Sequence, residues 1–197
     1  MAQRRPLIAG NWKMFGRVAD LDEIAALESS IGESGGVDVA ICPPLPLLYT
    51  ARRRFMASTI AFGAQDVTPG PDGAKTGDVN AAMLADAGAH YVIVGHSERR
   101  AGHGETDQMV AAKAAAALEN GLTPIICIGE TLAEREAGRA VAIVESQLAG
   151  STPKAEGEIV IAYEPVWAIG TGKTPSVGDI KEIHAAIRKG LGARAEA

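Results

Sequence analysis

Cysteine is scarce in this chain, with two among 197 residues. Cys42 and Cys127 each lie at the end of an apolar run and far apart in sequence, which excludes a disulfide-stapled secreted scaffold and fits a reducing, cytoplasmic setting. Basic residues are outnumbered, 19 Lys and Arg against 24 Asp and Glu. The resulting charge of -5 is the wrong balance for a protein that binds by neutralising nucleic-acid phosphates, so any anionic ligand has to be held by a local arrangement. No apolar stretch approaches the roughly 18 residues of a membrane-spanning helix. Met1 to Pro6 carries Arg4 and Arg5 with no apolar segment behind them, so no targeting leader is expected either. The histidines His90, His96, His103 and His184 lack the close His/Cys spacing of a zinc site, and no metal is expected.

What is present is an ordinary globular composition, 47% hydrophobic and 22% charged. The length suits one domain, 1–197, with a sizeable core. Short apolar runs recur at Leu7 to Gly10, Val37 to Cys42, Ile60 to Ala64, Tyr91 to Gly95, Pro124 to Ile128 and Ile159 to Tyr163. Their near-continuous hydrophobicity predicts parallel strands covered on both faces. Between them lie segments rich in Ala, Leu, Glu and Lys, such as Ala19 to Glu33, Thr106 to Asn120 and Leu132 to Leu148, which predict helices. Asn120-Gly121 and Gly35-Gly36 punctuate helix ends. The pattern is six βα units, compatible with an open doubly wound sheet or with a barrel. The first strand runs into Asn11-Trp12-Lys13-Met14 and not into G-x-G-x-x-G, so the dinucleotide-binding fingerprint is absent. Polar residues follow strand ends repeatedly: Asn11 and Lys13, Gln65 and Asp66, His96 to Glu98, Glu130, and Glu164. Barrel enzymes carry their chemistry there, and one composite site is expected.

Three constellations carry the chemistry. Asn11 and Lys13 sit two residues apart at a strand end, on one face if extension continues, where a lysine can hold a phosphate or simply be solvated. In Gly95-His96-Ser97-Glu98-Arg99-Arg100 an imidazole follows a buried strand, and Ser97 is placed to cap a short helix beginning at Glu98. Helix-start N–H groups there favour a neutral imidazole, although a lone histidine is often structural. In Ala162-Tyr163-Glu164-Pro165 a carboxylate flanked by apolar residues ends a strand before a glycine-containing loop, the setting of a general base or of a partly solvated strand-end glutamate. The tail Gly172-Lys173-Thr174 imitates a nucleotide P-loop, but Trp167 stands where that motif needs its first glycine.

Taken together, Ala9-Gly10-Asn11-Trp12-Lys13, Gly95-His96-Ser97-Glu98-Arg99-Arg100 and Ala162-Tyr163-Glu164-Pro165-Val166-Trp167-Ala168-Ile169-Gly170-Thr171-Gly172 resemble the triosephosphate isomerase family. Gly63-Ala64-Gln65-Asp66, Thr76-Gly77-Asp78-Val79 and the stretch Pro124 to Leu132 extend the likeness along the chain. The resemblance implies an α/β fold of the TIM (β/α)8 barrel type. It also implies interconversion of dihydroxyacetone phosphate and D-glyceraldehyde 3-phosphate through an enediolate, with no cofactor or metal. By the same resemblance Glu164 is the base and His96 polarises the carbonyl oxygens. Lys13 stabilises substrate charge, Asn11 hydrogen-bonds near the reacting oxygens, and Gly170 offers its N–H to the phosphate. Ser97, Glu98 and Cys127 support the site. Pro165, Val166, Trp167, Lys173, Thr174 and Pro175 belong to a closing lid, and Thr76 lies on a loop that reaches a partner subunit in a homodimer. The family has eight βα units and this chain carries six, so the seventh-strand segment that receives the closed lid and the Gly-Gly turn before a short phosphate-binding helix are expected to be missing. A noncatalytic chain needing a complementing fragment is therefore a second reading, and a nucleotide-binding module using Lys173 a distant third.

Overall fold

The computed structural model describes residues 5–31 and 36–196. Chain contacts divide it into two compact units, Met1–Ile93 with Ala116–Pro124, and Val94–Ala115 with Ile125–Ala197.

The first unit is built on parallel strands paired in chain order. These are β1 (Leu7–Asn11), β2 (Asp38–Cys42), β3 (Ala61–Ala64) and β4 (Tyr91–Val94), whose last residue belongs to the second unit. Register is set from Leu7 opposite Asp38 to Asn11 opposite Cys42, then Ala40 opposite Ala61 and Gly63 opposite Tyr91. Gly63 has to be glycine, because a Cβ there would lie 2.6 Å from the Cys42 sulfur. Helices α1 (Leu21–Ile31), α2 (Leu45–Arg54) and α3 (Ala81–Asp86) bury Leu21, Ile24, Leu47, Leu48 and Leu84. Phe55 and Phe62 stack with centroids 6.2 Å apart. The expected helix from Ala19 to Glu33 begins as a 3₁₀ turn at Val18–Asp20, and its last residues, with Gly35, fall outside the described residues.

In the second unit β5 (Thr123–Ile128, its first two residues assigned to the first unit) pairs in parallel with β6 (Val160–Tyr163), from Ile125 opposite Val160 to Ile128 opposite Tyr163. The helices are α4 (Ser97–His103), α5 (Asp107–Glu119, its residues from Ala116 on belonging to the first unit), α6 (Leu132–Glu136), α7 (Ala140–Ser151) and α8 (Val177–Leu191). Helix α5 closes at Gly121 (φ 73), where Leu122 N–H donates to the Ala117 carbonyl. The single helix expected from Leu132 to Leu148 is two, because Gly138 at φ 68 takes a left-handed conformation that no helix continues. Val144 and Leu148 of α7 and Ile183 and Ile187 of α8 are buried, and α7 packs on α8 so closely that a Cβ on Gly190 would meet Leu148 at 2.7 Å. Arg100 ties this unit together: it donates to the Gly95 and Cys127 carbonyls, to Asp107 Oδ1 at 2.6 Å and to Ser151 Oγ at 2.9 Å. No helix among the described residues is long and apolar enough to cross a membrane.

Candidate active site

Asn11 ends β1, and the chain then turns sharply. Lys13 has φ 52, the one positive value at a non-glycine position among the described residues. Such a conformation is disfavoured by about 1 to 3 kcal/mol and persists only where neighbours hold it. Two side chains do so here. Asn11 Oδ1 accepts the Lys13 N–H at 2.9 Å, and Gln65 Nε2, just beyond β3, donates to the Lys13 carbonyl at 2.8 Å and to the Cys42 carbonyl at 2.9 Å. The Lys13 peptide is thus fixed from both sides. Gln65 is visible in the sequence as a polar residue at a strand end, but nothing in its motif points to these two bonds. Thr76 lies on an exposed loop of the same unit, Gly70 to Asp78.

In the second unit Gly95 (φ 66) ends the β4 run, with no room for a Cβ against Val110. His96 then caps α4 itself: its Nδ1 accepts the Glu98 N–H at 3.2 Å. Ser97 was expected in that role but is the first helical residue, which frees its N–H. That N–H donates to Glu164 Oε1 at 2.6 Å, while Glu164 Oε2 stands 3.2 Å from His96 Nε2. An Nδ1 that accepts carries no proton, so the neutral ring carries its proton on Nε2, the nitrogen facing the carboxylate. The imidazole is 11% and the carboxylate 16% exposed, so this pair is sheltered but not sealed from solvent. Glu98 is exposed on α4, and Cys127 is buried in β5.

The segment after Glu164 is anchored at its start. Val166–Ala168 forms a 3₁₀ turn, and Trp167 Nε1 donates to Glu130 Oε1 at 2.9 Å. Glu130 is fully buried, and the same oxygen accepts from Tyr163 Oη at 3.0 Å and Arg135 Nη1 at 2.8 Å. Burial, then the adjacent Glu130 charge, pushes the Tyr163 hydroxyl well above its ordinary value. Arg135 lies over the Trp167 ring at 5.4 Å and reaches Asp179 with its other nitrogen. Burial works against the charge on Arg135, but its bonds to Glu130 and Asp179 outweigh that and hold its pKa above the ordinary value. Asp179 Oδ2 in turn accepts the Ser176 hydroxyl at 2.8 Å, closing a capping box at the start of α8. Arg135 therefore touches the groups that fasten both ends of the loop from Pro165 to Pro175. Gly170 (φ 68), Lys173 and Thr174 lie exposed between them, and Thr171 Oγ1 donates to the Trp167 carbonyl at 2.8 Å.

The structure thus joins His96, Ser97 and Glu164 in one unit and Asn11 with Lys13 in the other. Among the described residues no group of three or more His, Cys, Asp or Glu side chains is placed to hold a metal ion.

The family model described as triosephosphate isomerase matches residues 6–197. A triosephosphate isomerase from Afipia carboxidovorans is 56% identical over 98% of this chain and 78% of the relative. One from Ruegeria pomeroyi is 54% identical over 95% and 75%. A crystal structure of triosephosphate isomerase from Bartonella henselae superposes with a TM-score of 0.88 at 40% identity, covering 97% of this chain and 77% of that one. The chain therefore has the TIM-barrel type of fold, with six βα units, and spans about three quarters of the length of these relatives.

Proposed function

Because this chain belongs to the triosephosphate isomerase family, we propose that it interconverts dihydroxyacetone phosphate and D-glyceraldehyde 3-phosphate, in glycolysis and gluconeogenesis, with Glu164 as the proton-transferring base. The observation that carries this reading is the Glu164 carboxylate held between the Ser97 N–H and His96 Nε2. Both are contacts a substrate can replace. Once a carbonyl oxygen occupies the place of Glu164 Oε2, the Nε2–H becomes the donor to that oxygen, and the released carboxylate removes the proton from the adjacent carbon. Negative charge then develops on the oxygen, where a fixed donor acts without reorganising. Lys13 and Asn11 supply charge and hydrogen bonding to the substrate, and the strained, doubly held Lys13 backbone fits a residue placed for function. Pro165 to Pro175 is the lid, and Gly170 meets the phosphate.

The working assembly in this reading is a homodimer in the cytoplasm, with Thr76 on the loop that reaches the partner. Large apolar side chains support it: Met14 is 93%, Phe15 73% and Tyr49 60% exposed in the first unit. The test is a coupled turnover assay on material of intact mass 20.3 kDa. Wild type turns over, and Glu164→Asp, which retracts the carboxylate by one methylene, loses about a hundredfold or more in kcat with a smaller change in KM. Unchanged kcat in Glu164→Asp removes the base assignment. No turnover by the intact wild-type chain favours the noncatalytic reading.

A further inference from the structure

Glu164 lies just beyond β6, and its backbone is seated against Gly129. Its N–H donates to the Ile128 carbonyl at 2.9 Å. Its own carbonyl oxygen lies so close to Gly129 that a Cβ there would stand 1.8 Å from it. Only glycine fits, and the place of Gly129 decides where the Glu164 backbone can rest. Gly129 in turn is gripped from α7. Its N–H donates to Gln147 Oε1 at 2.7 Å, and Gln147 Nε2 donates back to its carbonyl at 3.0 Å. The side-chain amide thus does for Gly129 what a neighbouring strand's peptide group does inside a sheet. Gln147 falls on the face of α7 that buries Ala140, Val144, Leu148 and Ser151, and its own side chain is partly sheltered.

We propose that Gln147 is a positioning residue for the Glu164 carboxylate, acting through Gly129. The chain of contacts is short: the Gln147 amide fixes the Gly129 peptide, the bare Cα of Gly129 fixes the Glu164 carbonyl, and the side chain springs from there to the Ser97 N–H. A displacement of about 1 Å at a reacting group is enough to lower a rate about a hundredfold, so a brace on the base belongs to the reaction even though it touches no substrate. This inference rests on Glu164 being the base.

Gln147→Met keeps the length and removes both hydrogen bonds, while Gln147→Glu keeps the acceptor for the Gly129 N–H. kcat is expected to fall about tenfold to a hundredfold in Gln147→Met, with KM changed less than about threefold, and to recover partly in Gln147→Glu. The second readout is the Ser97 amide resonance in 1H-15N spectra, which reports the Glu164 contact in the free protein without any turnover. It is expected to move upfield in Gln147→Met and less in Gln147→Glu. If Gln147→Met lowers thermal stability but leaves both kcat and the Ser97 resonance in place, Gln147 is only structural and the proposal falls. If the resonance moves as expected while wild type shows no isomerase turnover, the brace stands and the assignment of Glu164 as base is what fails.

Discussion

At the scale of single residues, environment rather than identity assigns the roles. His96 is one of four histidines, and what distinguishes it is that the first turn of α4 consumes its Nδ1 and leaves Nε2 facing Glu164. Lys13 is distinguished by its backbone, held at positive φ by Asn11 and Gln65. The two cysteines are both buried, and neither has the accessible setting of a reactive thiol. Burial pushes the Cys42 thiol up to about 12. Cys42 is therefore expected to stay unmodified by a thiol-specific reagent at pH 8 in the native protein and to react once guanidinium unfolds it. Rapid native labelling of Cys42, mapped by peptide mass, would contradict the burial of this thiol in β2.

At the scale of elements, a buried ion cluster sets the acid limit. Glu105 precedes α5, and its Oε1 accepts from Lys113 and from Arg99, each at 2.6 Å. Burial alone would raise its pKa, but the hydrogen bonds and charges of Lys113 and Arg99 outweigh it and hold the carboxyl below its ordinary value. A carboxyl depressed in the folded state contributes stability in full above its unfolded pKa, about 4.3, and loses it as pH falls toward the folded value. Urea midpoints should therefore drop from pH 5 toward pH 3 more steeply in wild type than in Glu105→Gln. Equal slopes would mean that Glu105 does not govern the acid limb. Strand positions were legible because buried parallel strands announce themselves as apolar runs, as in Pro124 to Ile128 against the observed Thr123–Ile128. The break between α6 and α7 was less so, since Gly138 costs a helix only modestly in propensity and its left-handed turn is a tertiary outcome. Glu164 was legible as a strand-end carboxylate. The Gln147 grip on Gly129 was not, because 18 residues separate the partners, and its only trace is a polar residue on the buried face of α7.

At the scale of the whole molecule, the exposed apolar side chains at Met14, Phe15, Val18 and Tyr49 sit on a surface whose covering by a second copy is part of the proposed function. Gly16, between them, has Trp12 and Leu47 as the nearest neighbours of its missing Cβ, which places this loop beside α2. Sedimentation at micromolar concentration is expected to give twice the chain mass, and the double variant Phe15→Lys, Tyr49→Lys to give the chain mass alone. A wild-type monomer would contradict the dimer. Central to the proposed function is that Glu164 moves the carbon-bound proton. Its most direct measurement is proton NMR of dihydroxyacetone phosphate incubated with the protein in D2O. Wild type is expected to replace carbon-bound hydrogen next to the carbonyl by deuterium, and Glu164→Gln to do so at least about a hundredfold more slowly. Exchange at the wild-type rate in Glu164→Gln would contradict the account.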